Sequence, residues 1–125
     1  MKTLSLVAVL LLGLFGLEGC GSVCAGTSCQ CPQGQTCGFD GCTADTPGCQ
    51  FDCAADSTCK GSCGSGCQVT CQGKSCTATV GANSQVSCTS GTCSITCQGK
   101  CSIGAVGGTA TYSCVSGTKT AGGCD

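Results

Sequence analysis

Nineteen cysteines in 125 residues make cysteine the residue type dense enough to carry chemistry in this chain. Three uses are open to it: thiolate metal binding, redox exchange and disulfide stapling. Thiolate metal sites draw on repeated C-x-C or C-x-x-C pairs, often with histidine. The chain has one C-x-C, Cys29-Gln30-Cys31, no C-x-x-C and no histidine. Zinc-knuckle, zinc-ribbon and thioredoxin-like motifs are therefore missing, and no metal or other cofactor is expected.

Other chemistries fare no better. Without histidine there is no Ser/His or Cys/His arrangement. Asp52 with Asp56, or Asp40 with Asp45, could be drawn as a carboxylate pair, but all four fall in turns or on an outward strand position and read as surface acids. Calcium needs several oxygen ligands. The glycine turns offer Lys74, Asn83 and Lys100 and one acid, Asp56. A net charge of −1 and 3% aromatic residues exclude the basic, stacking surface that nucleic acid requires. The chain is expected to be no enzyme, with no catalytic residues.

The elements that position the cysteines repeat. Five-residue segments recur between glycine turns: CQVTC (67–71), CTATV (76–80), SQVSC (84–88), CSITC (93–97), CSIGA (101–105) and ATYSC (110–114), preceded by CQFDC (49–53) and CKGSC (59–63). Turns of three and four residues alternate, so two segments and two turns complete a period of 17. First, third and fifth positions are cysteine or aliphatic. Second and fourth are hydroxyl or amide. That is strand periodicity with one face buried, and a fixed period marks a repeat architecture. The expected fold is all-β: a two-strand-per-coil β-solenoid in which each strand pairs in parallel with its equivalent one coil on. Its inward pairs, Val69/Ala78, Val86/Ile95 and Ile103/Tyr112, make a small core, and small cores need staples.

The pairing of cysteines follows from the repeat. Across four-residue turns the flanking residues are Cys71/Cys76, Cys88/Cys93 and Ala105/Ala110. Across three-residue turns they are Cys63/Cys67, Val80/Ser84 and Cys97/Cys101. Cysteines are present or missing together, as a bond across the corner demands. Sequential pairing is expected: Cys24–Cys29, Cys31–Cys37, Cys42–Cys49, Cys53–Cys59, Cys63–Cys67, Cys71–Cys76, Cys88–Cys93, Cys97–Cys101 and Cys114–Cys124. Each bridge closes a short loop, on the order of 2 kcal/mol in the chain-entropy model.

Residues 1–19 read as a signal peptide, with Lys2 ahead of an apolar run from Leu4 to Leu17. The run ends in Leu17-Glu18-Gly19-Cys20, which resembles a bacterial lipobox. The resemblance implies cleavage before Cys20, a diacylglycerol on its sulfur and a membrane anchor. Glu18 departs from the pattern. Removing or acylating Cys20 leaves eighteen cysteines, an even number that can all pair. The repeated C-x3-C units (Cys49–Cys53, Cys59–Cys63, Cys67–Cys71, Cys93–Cys97, Cys97–Cys101) resemble small cysteine-rich bacterial surface lipoproteins. That likeness implies a cell-envelope location and no particular activity.

The domain reading is a signal peptide (1–19), a cysteine-rich N-terminal cap (20–48), the solenoid (49–114) and a C-terminal cap or tail (115–125). Two outward ranks of hydroxyls, Thr77/Ser94/Thr111 and Thr79/Thr96/Ser113, are expected on alternate strands. They resemble in architecture the ice-binding faces of insect antifreeze proteins, which implies ice binding as one alternative. A secreted toxin or inhibitor is another. The reading reached is a non-enzymatic structural or adhesive protein, lipid-anchored at the bacterial envelope or secreted, with an unidentified protein or glycan partner and an undetermined oligomeric state.

Overall fold

The computed structural model describes residues 24–39 and 41–125. The signal peptide and the lipobox cysteine, Cys20, lie outside these residues, as does Asp40. The described residues form thirteen β-strands and no helix: β1 (Cys24–Ala25), β2 (Ser28–Cys31), β3 (Thr36–Gly38), β4 (Gln50–Cys53), β5 (Thr58–Ser62), β6 (Gln68–Cys71), β7 (Ser75–Val80), β8 (Ser84–Cys88), β9 (Thr92–Cys97), β10 (Cys101–Ala105), β11 (Thr109–Cys114), β12 (Lys119–Thr120) and β13 (Gly123–Cys124). Even-numbered strands from β2 to β10 stack into sheet A, odd-numbered strands from β3 to β11 into sheet B. All neighbours within these two stacks are parallel. The protein is a β-solenoid, two strands to a coil.

The register states the period. Ser75 pairs with Thr92 and Thr92 with Thr109 in sheet B; Ser84 pairs with Cys101 in sheet A. Each step is 17 residues. Gln50 pairs with Gln68, a step of 18, because the turn after β4 is one residue longer.

Alternation fills the interior. Sheet A contributes the in-register rank Phe51, Val69, Val86, Ile103, and sheet B the rank Ala78, Ile95, Tyr112. Val69, Val86 and Ile95 are 2–3% exposed. Opposite Phe51 the sheet B residue is Gly61, and Phe39 fills the space, its ring stacked on Phe51 at 4.3 Å between centroids. A Cβ on Gly61 would stand 2.9 Å from the Phe39 ring, so the aromatic pair depends on this glycine. In the corners the backbones of successive turns touch: Gly91 has φ +69° and sits against the Gly73 carbonyl, a place closed to any side chain.

The stretch 20–48, read from sequence as a cap without strand alternation, carries two strands of the solenoid. β2 and β3 pair in parallel with β4 and β5. The offset there is 22 residues, since Ser28 meets Gln50 and Thr36 meets Thr58. The extra residues lie between β3 and β4, where Cys42 and Cys49 bridge the loop. An insertion of this kind hides the period while leaving the ladder intact. β1 closes the N-terminal end of sheet A by antiparallel pairing with β2. At the other end the tail 115–125 folds into the hairpin β12–β13, and β13 pairs antiparallel with β10.

Nine disulfides join successive cysteines: 24–29, 31–37, 42–49, 53–59, 63–67, 71–76, 88–93, 97–101 and 114–124. Cys24–Cys29 ties β1 to β2 within sheet A, and the other eight line the two corners of the solenoid. At one corner, the bridges 31–37, 53–59, 71–76 and 88–93 stack in register, since Cys31, Cys53, Cys71 and Cys88 are neighbours in sheet A. The sulfurs of Cys76 and Cys53, in adjacent bridges, lie 3.4 Å apart. That corner ends in the unbridged pair Ala105 and Ala110, and the other corner has an unbridged rung at Val80 and Ser84. There Val80 is fully buried, and the Ser84 hydroxyl donates to the Gly81 carbonyl (2.8 Å) and accepts from the Cys67 N–H (3.2 Å). Disulfides in this number are consistent with an exported or extracellular protein.

A flat hydroxyl face on sheet B

The outward residues of sheet B form a grid. Thr77, Ser94 and Thr111 are Cα partners in one rank, and Thr79, Thr96 and Ser113 in the next. All six positions expected from the sequence lie on this one face, exposed or half-buried. Ser62 extends the second rank by one strand. Lys60 stands at the corresponding place in the first rank and is the charged residue of the grid.

A third rank was not expected. Thr36, Thr58, Ser75, Thr92 and Thr109 are mutual partners through all five strands. Sequence reading assigns Thr58, Ser75, Thr92 and Thr109 to turns, because the segments are written from cysteine to cysteine. In the structure, β5, β7, β9 and β11 each begin one residue earlier. The signal was present as S-x-T-x-T (75–79), T-x-S-x-T (92–96) and T-x-T-x-S (109–113), an alternation three deep rather than two.

Strand geometry fixes the mesh. Neighbouring strands stand about 4.8 Å apart, and outward residues along one strand about 6.7 Å apart. Threonine is stiff at χ1, because two heavy atoms branch from Cβ. A rank of threonines therefore presents methyl and hydroxyl groups with little side-chain freedom to lose on contact with a surface. Among the described residues, no hydroxyl of Thr77, Thr79, Ser94, Thr96, Thr111 or Ser113 takes part in a side-chain hydrogen bond.

The outward face of sheet A is different. Gln50, Gln68 and Gln85 are in register, and the Gln50 Nε2 donates to the Gln68 Oε1 at 3.4 Å. The second rank there is Asp52, Thr70, Ser87. Asp52, Asp56 and Asp45 are all exposed, on sheet A, in a turn and in the β3–β4 loop respectively. Two sulfur clusters, Cys53/Cys59/Cys76 and Cys97/Cys101/Cys124, have their Sγ atoms within 4.8 Å of one another. Every one of these sulfurs belongs to a disulfide and is not a thiolate.

Fold and face together define a disulfide-stapled, two-strand β-solenoid with one hydroxyl-surfaced side. Comparison of the chain with protein-family models, with curated proteins and with solved structures finds no match.

Proposed function

We propose that this is an exported, non-enzymatic surface-binding protein whose working face is the hydroxyl grid of sheet B. A diacylglycerol on Cys20 holds it at the cell envelope, and its role there is structural or adhesive. The observation that carries the reading is the three-rank register: Thr58, Ser75, Thr92 and Thr109 beside Thr77, Ser94 and Thr111 and beside Thr79, Thr96 and Ser113. A neutral, rigid, repeating array of donors and acceptors suits a hydroxylated, repeating ligand, and an extended glycan is the envelope polymer with that chemistry. Co-sedimentation with insoluble cell-wall glycan tests it. The intact exported chain pellets with the glycan, and a Thr77→Lys, Thr96→Lys variant stays in solution. Equal pelleting of both removes the face from the reading. Intact mass of the protein extracted from membranes checks the anchor, by a lipid increment on the fragment that begins at Cys20.

The two-dimensional regularity of the mesh favours one alternative, a crystalline water surface. Ice binding makes the same face essential but needs no polymer. Thermal hysteresis and ice shaping in solutions of the intact chain read it directly, and a concentrated solution that leaves ice growth unchanged ends that alternative.

A further inference from the structure

The two sheets end in four edge strands. An edge presents unpaired N–H and C=O groups, and natural proteins blunt it with short strands, charge, proline or a covering element. β1 and β12 have two residues each, β12 carries Lys119, and β3 has three residues. β11 has six, Thr109–Cys114, with neither charge nor proline. Three edges are blunted and the fourth is not.

Its hydrogen-bonding direction follows from the ladder. The Thr109 N–H donates to the Gly91 carbonyl at 2.9 Å and the Val115 N–H to the Cys97 carbonyl at 2.9 Å, both toward β9. Alternate residues of a strand point their backbone groups the opposite way. The N–H and C=O groups of Ala110, Tyr112 and Cys114 therefore face the open side, where no strand lies among the described residues.

A second observation sits at the corners of the same coil. At 17-residue spacing, Gln72 and Thr89 are followed by Val106, and Gly81 and Gln98 by Val115. The corner residues are polar or glycine in the internal coils and valine in the last. Val106 is 79% exposed and Val115 62% exposed, and they bracket β11.

The shape of the end selects the occupant. Sheet A runs past β10 into β13 and β12, so at the place of a sixth coil sheet A is filled, while among the described residues no strand fills sheet B. A second solenoid stacked on this end would need both places. One extended strand needs only the place beside β11. Under the overhang the Tyr112 hydroxyl donates to the Thr120 carbonyl, and Lys119 Nζ lies 4.6 Å from the Tyr112 ring centroid. Inward side chains of an added strand would meet this ring and the Cys114–Cys124 bridge.

We infer that β11 is an acceptor edge for an extended, uncharged segment of a partner protein, added as a sixth strand of sheet B with small apolar side chains at alternate positions. The test uses the disulfide-intact exported chain and a blocked synthetic peptide of residues 75–80 carrying Cys76→Ala. At millimolar peptide, amide hydrogen exchange at Ala110, Tyr112 and Cys114 slows by about tenfold or more, with no change in β3. The same peptide N-methylated at alternate residues gives no protection, and a Val106→Ser, Val115→Ser variant needs more peptide for the same effect. Unchanged exchange at the three amides overturns the inference, as does equal protection by the N-methylated peptide. Concentration-dependent dimerisation that protects these amides without peptide also overturns it, because the occupant would then be a second copy.

Discussion

Sheet A shows solvent Gln50, Gln68 and Gln85 where sheet B shows Thr58, Ser75 and Thr92. Both ranks are polar, and both sheets rest on the same core. They differ in freedom and in self-sufficiency. Glutamine carries several rotatable bonds and loses more entropy when ordered than a χ1-restricted threonine. It also finds partners within its own rank, as the Gln50–Gln68 hydrogen bond shows. Among the described residues, the hydroxyls of Thr77, Thr79, Ser94, Thr96, Thr111 and Ser113 have no such partner. The contrast extends to the ends, since sheet A finishes in antiparallel strands on both sides and sheet B in the parallel strands β3 and β11.

Substitutions can break that contrast or sharpen it. Ile95→Asp places a charge where the side chain is 2% exposed, between the two sheets. It costs upwards of ~3 kcal/mol and removes both faces together. Loss of the β signal in circular dichroism reads it, and Val86→Asp behaves alike. Replacing Cys71 and Cys76 with alanine opens one rung in the run of four stacked bridges, whose Cα atoms are 6.2 Å apart. It lowers stability by about 2 kcal/mol in denaturant titration while both sheets persist. Cysteines at Val80 and Ser84 would complete the interrupted corner. The gain is about 1 kcal/mol or less, because the two hydrogen bonds of the Ser84 hydroxyl are lost. Thr77→Lys alone shifts stability by no more than ~0.5 kcal/mol. It weakens surface binding, whereas Gln68→Lys on sheet A leaves binding as it was.

The sequence made the regular coils readable because their spacing never slips between Cys67 and Cys114. Corner cysteines that come and go in pairs made the bridges readable for the same reason. β2 and β3 were hidden by a single loop that stretches one coil to 22 residues, although their own alternation is sound. The Phe39–Phe51 stack was hidden too, since it joins residues from different coils across a glycine. The third hydroxyl rank was lost to a boundary, because bracketing each strand by its cysteines discards the residue before the first one. The antiparallel hairpin β12–β13 had no signal in a repeat that is otherwise parallel, and only its cysteine announced that the tail was tied down.

Every bridge links a cysteine to the next cysteine along the chain, at sequence separations of 4 to 10. A polypeptide oxidised while it crosses a membrane N-terminus first would meet its partners in that order. At each step the nearest unpaired thiol upstream is the native one, so vectorial export alone yields the native connectivity without reshuffling. The scheme fails for one starting condition. A free thiol at Cys20 would take Cys24 and displace every later pair by one. Under the proposed export, capping that sulfur with lipid, or removing it with a leader, would keep the count in phase, so the chemistry at residue 20 would govern whether the corner at residue 97 closes correctly.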